Sequence, residues 1–85
     1  MEELTSMMNI GKEMARKLEL AGIGSGEVLR AIGPEEAYLR LKLLWPKVCL
    51  VHLYALEGAV TGQAYNALPD GRKRELKAFS DKWKG

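Results

Sequence analysis

The chain has 85 residues and a mass of 9.5 kDa, which predicts a single domain over residues 1–85, and its 47% apolar content excludes wholesale disorder. Thirteen basic and eleven acidic residues give a net charge of +2, so the composition does not demand a nucleic acid or an anionic membrane as partner. The acidic N-terminus lacks an apolar secretory segment and the longest apolar stretch, 48–60, is too short to span a bilayer, so neither secretion nor membrane association is expected.

The first part of the chain is predicted to form short helices, because 13 Leu and 9 Ala outnumber 9 Val, Ile and Thr. A first helix covers about residues 2–7, a turn follows at 8–11, and a second helix covers about 12–21. Gly22 is placed to end the second helix in a left-handed conformation, with Ile23 folding back on its last turn.

The remainder of the chain is predicted to be helical as well. Ser25 is expected to cap a third short helix that ends near Ile32. Pro34 then suits the first position of a fourth helix, which Pro46 stops. The last three helices are predicted over residues 34–45, 47–65 and 70–82.

These elements predict an all-α domain of five or six helices around one core, with the mostly apolar fifth helix at the centre. A weak repeat adds to this, because Ile10-Gly11 is echoed 22 residues later by Ile32-Gly33, each with Ala four residues after the Gly. The repeat predicts two helical hairpins about a pseudo-twofold axis, in a helix-hairpin-helix-like (SAM-like) arrangement. Chance similarity in a Leu- and Ala-rich chain is the alternative.

The first hairpin has the features of an anion site. A tight turn followed at once by a helix aims backbone N–H groups at one point, which suits a phosphate. Gly11 supplies a permissive backbone, Asn9 tolerates a positive φ, and Ile10 suits the core. The candidate DNA-contacting residues are therefore Asn9, Ile10, Gly11, Lys12, Arg16 and Lys17.

Such contacts ignore base identity, so they predict weak, sequence-independent and salt-dependent binding to double-stranded DNA. Two features oppose this interpretation: Asn9 stands where many DNA-binding hairpins have Gly, and Glu13 repels phosphate. The second hairpin is a poorer site, since Pro34 has no N–H and Glu35 and Glu36 occupy the anion position. The alternative is that the hairpins only join packed helices, in a module for protein interaction or self-association.

The C-terminal segment is the most basic part of the chain. Residues 66–85 carry six basic and three acidic side chains, whereas the remainder carries seven and eight. Arg72, Lys73 and Lys77 are candidates for a secondary basic face that supports a nucleic-acid backbone, and a merely solvated face is the alternative. The stripe that docks this helix on the core is predicted to be Leu76, Phe79 and Trp83.

Catalytic chemistry is not expected. Cys49 and His52 lie three residues apart, but no other Cys or His completes a metal site, so no metal and no cofactor is predicted. The spacing does not aim a base at the sulfur, and Cys49 is interpreted as a small buried apolar residue. We therefore predict no enzyme and no small-molecule substrate. A single Cys also excludes an internal disulfide and fits a reducing, cytoplasmic location.

Glu57 stands out because it lies within the apolar fifth helix. If buried, it needs a partner, for which Arg40, Lys42, Tyr38 or a helix N-terminus are candidates. A solvent-exposed or a catalytic carboxylate are the alternatives.

Two glycines and an apolar patch are candidates for packing contacts, within the domain or with a partner. Gly58 and Gly62 have a Gly-x-x-x-Gly spacing, which indicates close helix packing within the domain or across a dimer. An adaptable apolar patch for a partner is expected from the exposed parts of Met1, Met7, Met8 and Trp45.

Several stretches resemble the C-terminal domain of TfoX-type proteins, over about residues 4–80. They include Asn9-Ile10-Gly11-Lys12, Gly33-Pro34-Glu35-Glu36-Ala37-Tyr38-Leu39-Arg40-Leu41 and, most specifically, Leu53-Tyr54-Ala55-Leu56-Glu57-Gly58-Ala59. The resemblance implies an all-helical, helix-hairpin-helix-like domain without agreed catalytic residues. Full-length members regulate competence for DNA uptake in bacteria and carry a separate N-terminal domain. That domain is not expected in these residues, so the full regulatory role is not carried over.

The sequence therefore favours a cytoplasmic, non-enzymatic module that binds DNA weakly or assists a DNA-related complex. The open alternatives for its partner are double-stranded DNA, another protein and a second copy of the chain.

Overall fold

The computed structural model describes residues 2–83, which form four α-helices and no strand. A single turn of 3₁₀ helix at Leu4–Ser6 precedes them. The helices are α1 (Lys12–Leu20), α2 (Gly26–Leu44), α3 (Leu50–Thr61) and α4 (Asp70–Lys82). None of the helices in this part of the chain is long and apolar enough to cross a membrane.

The prediction of five or six helices is wrong, for two local reasons. The segment expected to form a first helix makes only one 3₁₀ turn. The predicted third and fourth helices are the two halves of α2, which kinks at Gly33 (φ 84°, ψ 165°) and resumes helical geometry at Pro34. The backbone conformation required at the kink is one that residues with a side chain rarely adopt, so glycine suits this position. The break was therefore predicted at the correct position: Gly33 leaves helical geometry, and the helical segments on its two sides are counted together as α2.

The predicted caps are confirmed. The Ser25 hydroxyl accepts a hydrogen bond of 3.3 Å from the backbone N–H of Val28, at the start of α2. Gly22 has a φ of 87°, and the N–H of Ile23 donates to the Leu18 carbonyl at 2.8 Å while its side chain is fully buried. This closes the end of α1.

α3 lies at the centre of the fold, as its apolar character predicted. It packs mainly against α2 and then against α4. It is shorter than expected because Gly62, with a φ of 75°, ends it in the left-handed conformation. The fully buried side chains include Leu18, Ile23, Leu29, Tyr38, Leu41, Leu53, Leu56 and Leu76.

The second half of α2 and α4 run side by side in the same direction. Their contacts follow the same order along both helices: Glu35 with Arg72, Tyr38 with Phe79 and Ser80, and Leu43 beside Trp83. Of the predicted docking stripe, Leu76 is fully buried and Phe79 packs on the core, whereas Trp83 is half exposed.

Candidate nucleic-acid interface

The turn before α1 is sharp, and Asn9 fixes it to the far end of α3. Asn9 has a φ of 69°, the left-handed conformation that Asn tolerates. Its side-chain amide donates to the carbonyls of Ala55 (3.3 Å) and Gln63 (2.9 Å), and its oxygen accepts from the N–H of Tyr65 (3.2 Å). Asn9 is therefore a structural anchor whose polar atoms face inward.

The backbone of the turn presents free N–H groups at the start of α1. Ile10 is buried, as predicted, and its own N–H is bonded to the Met7 carbonyl at 3.3 Å. Gly11 is the N-cap with φ −89°, and no side chain caps the helix. The N–H groups of Gly11, Lys12 and Glu13 receive no acceptor from residues 2–83, and all three residues are exposed.

The charges around this turn are mixed. Lys12 is exposed and has no ion-pair partner within the described chain. Arg16 instead binds Glu13 at 2.6 Å, and this hydrogen bond lowers the pKa of Glu13 and raises that of Arg16. Lys17 lies over the Trp45 ring, 5.6 Å from its centroid. Among these basic candidates, only Lys12 can meet an anion without breaking a contact to the part of the chain that the structure describes.

The two turns of the internal repeat differ in backbone conformation. In the first turn the positive φ falls on Asn9, before the Ile-Gly pair, whereas in the second it falls on Gly33 itself. The second turn is also closed, since Pro34 is buried and Glu35 binds Arg72 at 3.0 Å. Of the two, the first turn is the one that opens toward solvent.

Two of the three candidates on α4 are paired with carboxylates of this chain. Arg72 binds three carboxylates, those of Glu57 and Glu35 at 3.0 Å and that of Glu75 at 3.5 Å. Hydrogen bonding to Glu57 is the main cause that raises the pKa of Arg72. Lys77 is paired with Asp81 at 3.2 Å, whereas the Lys73 ammonium has no ion-pair partner within the described residues.

Glu57 is buried and ion-paired, as its position in the apolar helix predicted, but with a different partner. Its side chain is 10% exposed and binds Arg72 on α4, rather than Arg40, Lys42 or Tyr38. Arg72 was predicted to lie on a DNA-facing surface, because helical spacing alone does not reveal that α4 packs on α3 at this point.

The two glycines of the Gly-x-x-x-Gly spacing do not form a contact between two helices, and each has a different role within the domain. A Cβ on Gly58 would overlap the Asn9 side-chain amide and the Gln63 carbonyl. Gly62, by contrast, has open space around it and ends α3 through its positive φ. The close approach is therefore between α3 and the anchored turn.

The interpretations of Cys49 and His52 need correction. Cys49 is exposed rather than buried, because it is the N-cap of α3. The His52 Nδ1 lies 3.5 Å from its sulfur and accepts from the Cys49 N–H at 3.1 Å. His52 thus closes the first turn of α3. Within residues 2–83, no group of three His, Cys, Asp or Glu side chains is placed to hold a metal ion.

His52 makes the stability of the domain depend on pH. Partial burial lowers its pKa below the usual 6.5, and the nearby charge of Lys17 lowers it further. Since unfolded His52 takes up a proton at higher pH than folded His52, acidification from about pH 7.5 to about pH 5.5 is expected to lower the free energy of unfolding. Denaturant titrations measure this.

The matched control is His52→Asn, which keeps an acceptor near the Nδ1 position and does not titrate. We expect a smaller pH dependence over this interval in the variant. An identical slope in both proteins would assign the dependence to other groups. The chain has one His, so an NMR titration of its ring reads the pKa directly.

The apolar patch lies elsewhere than predicted. Met7 is buried, Trp45 is half-buried under Lys17, Met8 is half exposed, and Met1 lies outside the described residues. The more open apolar surface is a groove between α2 and α4, here called the α2/α4 groove. It has a volume of about 350 Å³ and is lined by Leu39, Lys42, Leu43 and Trp83.

The comparisons with known proteins agree with this architecture. The model of the TfoX C-terminal domain matches residues 1–80. The chain belongs to the TfoX C-terminal domain family. An uncharacterized protein from Listeria monocytogenes, in a triclinic crystal form, matches with a TM-score of 0.94 and 40% identity, covering 96% of this chain and 93% of that one.

A second solved structure gives the same result. It is a protein of unknown function from Listeria monocytogenes in a tetragonal form, with a TM-score of 0.90 and 40% identity, covering 93% of this chain and 98% of that one. No functionally curated protein matches the chain. The family is therefore established, and its function has to be argued from the geometry.

The stretch that resembles the TfoX C-terminal domain most specifically, residues 53–59, has structural roles here. Tyr54 donates to the Lys73 carbonyl at 3.4 Å, Glu57 binds Arg72, and Gly58 makes room for Asn9. This run connects α3 to α4 on one side and to the turn before α1 on the other. The family signature in this chain thus fixes the position of the turn.

Proposed function

We propose that this domain is a non-enzymatic, helix-hairpin-helix-like module that contacts the phosphate backbone of double-stranded DNA. The contact is made by the turn at residues 9–11 and the start of α1, and the role is accessory to a DNA-related complex such as one that regulates competence. The observation that carries the proposal is the set of N–H groups at Gly11, Lys12 and Glu13 without acceptors in residues 2–83, beside the Lys12 ammonium, which has no ion-pair partner there.

Rigidity of the turn supports this function. Asn9 holds the backbone by three hydrogen bonds, so the N–H groups are oriented before a phosphate arrives. The dipole of α1 adds a partial positive charge at the same point. The Glu13 carboxylate repels a phosphate at this position. Its ion pair with Arg16 also keeps the Arg16 guanidinium from contacting the phosphate. The expected binding is therefore weak and independent of sequence.

The test is a titration of a short duplex at two salt concentrations. For about two phosphate contacts, the affinity should fall about 60-fold between about 20 mM and about 200 mM salt. Lys12→Glu should weaken binding at low salt by about tenfold, since it replaces an attraction with a repulsion. Lys82→Glu is the matched control, because Lys82 is also exposed and its substitution changes the net charge by the same amount.

A second substitution tests the opposing charge. Glu13→Gln removes the carboxylate at the start of α1 and releases Arg16, so it should tighten binding at low salt by about fivefold. A general effect of net charge would make Lys82→Glu and Lys12→Glu equally weak binders. That result, or no binding by any variant at about 20 mM salt, would remove the DNA proposal.

The second candidate function is protein interaction through the α2/α4 groove. The side chain of Leu43 is 84% exposed and that of Trp83 is 49% exposed, and an apolar surface of this kind is typical of contact sites. Sedimentation of the wild type and of Leu43→Lys over a range of concentrations tests self-association through it. A monomer at every concentration in both proteins counts against a second copy as the partner.

A further inference from the structure

A cavity at the start of α3 is lined by more basic than acidic side chains. It has a volume of about 510 Å³ and lies between α2, α3 and α4. Its charged lining residues are Lys42, Lys47, Lys77 and Asp81, a formal charge of +2 from three ammonium groups and one carboxylate. We call this space the α3-start cavity.

One of these cations is held in a fixed position. The Lys42 ammonium donates to the carbonyls of Pro46 (3.2 Å) and Val48 (3.1 Å) and lies 5.8 Å from the centroid of the Tyr38 ring. An ammonium has three donors, so one N–H remains after these two bonds. The fixed charge is thus oriented without being neutralised by a carboxylate.

The other two cations are adjustable. Lys47 is exposed and has no ion-pair partner within residues 2–83. Lys77 binds Asp81 at 3.2 Å, but both side chains are well exposed, at 60% and 43%. An exposed pair of this kind contributes little free energy, so Lys77 can turn toward a ligand at small cost.

Two hydroxyl groups lie on the buried side of the cavity. Tyr38 and Ser80 are 1% and 3% exposed and share one hydrogen bond of 3.0 Å. A hydroxyl can both donate and accept. The pair therefore gives the buried side of the cavity a polar lining.

We propose that the α3-start cavity binds the phosphate group of a small organic phosphate ester. The cations that line it in the described part of the chain are all lysines, and lysine binds phosphate as a compact point charge with three rotatable donors. Apolar side chains, among them Val48, Leu50 and Val51, also line the space. They suit the organic part of the ligand, and the volume is in the range of small-molecule sites.

This site is separate from the proposed DNA contact. Asn9 joins the turn to Ala55, within α3, and to Gln63, which lies beyond the last residue of α3. The cavity instead lies at the first residues of α3. A helix of 12 residues is about 18 Å long. Binding at one end of α3 therefore does not occupy the other.

The single cysteine provides a local reporter, because Cys49 is exposed and lines the cavity. The rate of its alkylation by neutral iodoacetamide is measured with increasing phenyl phosphate. We expect phenyl phosphate to slow the alkylation to saturation. Lys47→Gln should raise the half-saturating concentration by about fivefold, since it removes one exposed charge, and Lys82→Gln should leave it unchanged.

Further ligands decide the outcome. Benzyl alcohol tests the apolar lining alone, and equal protection by it would overturn the proposal, as would equal behaviour of Lys47→Gln and the wild type. Absence of protection by phenyl phosphate would also overturn it. A short duplex distinguishes two sources of the phosphate group: protection by phenyl phosphate alone supports a free ester, and protection by both supports a DNA phosphate at this cavity.

Discussion

Replacing Gly58 with alanine is expected to lower the free energy of unfolding by about 2 kcal/mol. The added methyl group would overlap the Asn9 amide and the Gln63 carbonyl, so either the turn moves or its hydrogen bonds break. This cost exceeds the gain of up to about 1 kcal/mol in helix propensity from Gly to Ala. Thermal denaturation should show a midpoint about 8–16 °C lower.

Gly71 provides the matched control, because it is exposed within α4 and a methyl group added there would meet no other atom within 4 Å. Gly71→Ala should therefore stabilise the domain by about 0.5–1 kcal/mol. Equal and small effects of the two substitutions would show that the turn does not pack on α3 as described. The Gly58→Ala variant should also lose part of its DNA affinity, because the turn that presents the N–H groups is displaced.

Replacing Arg72 with methionine should lower the free energy of unfolding by about 3 kcal/mol. The loss arises because the Glu57 carboxyl, whose side chain is 10% exposed, would stay buried without its partner on α4. Glu35 would lose the same guanidinium, although it is more exposed. Urea denaturation of the variant measures the difference.

The control for Arg72 is Arg40→Met, which removes an exposed i,i+4 pair with Glu36. Pairs of this kind contribute about 0.3–0.5 kcal/mol. The double variant Arg72→Met/Glu57→Gln should recover about half of the loss, because it removes the isolated charge together with its partner. If Arg72→Met costs no more than Arg40→Met, the ion pair is not a buried one.

Features that depend on neighbours in sequence were predictable. Ser25 as a cap and Gly22 as the end of α1 follow from local backbone chemistry, and the central position of α3 follows from its apolar composition. The number of helices was not predictable in the same way. Gly33-Pro34 interrupts helical geometry as predicted, but the two segments follow one another without a loop and count as one element, α2.

The turn at residues 9–11 was predicted from the sequence, but the bonds made by the candidate residues around it were not. Asn9 adopts the positive φ that its residue type was expected to tolerate, whereas Gly11 has a φ of −89° and does not use its conformational freedom. Arg16 and Arg72 were selected for their charge, and each is bound to a carboxylate. The buried partner of Arg72, Glu57, lies 15 positions away on another helix, so no helical spacing rule indicates it.

The exposure of residues at the ends of helices was also not predicted from the sequence. Cys49 and Leu43 belong to apolar stretches, and average patterns place such residues in the core. Cys49 is exposed because α3 begins after it, and Leu43 lies in the last turn of α2 beside the open α2/α4 groove. Boundaries of helices are therefore where burial predicted from composition fails.

The direct test of the proposed DNA contact is an NMR titration of the labelled domain with a short duplex at about 20 mM salt. We expect the backbone amides of Gly11, Lys12 and Glu13 to shift first and most, and the shifts to vanish in Lys12→Glu but persist in Lys82→Glu. Shifts centred on the α2/α4 groove or on α4, or none at all, would contradict the proposed contact.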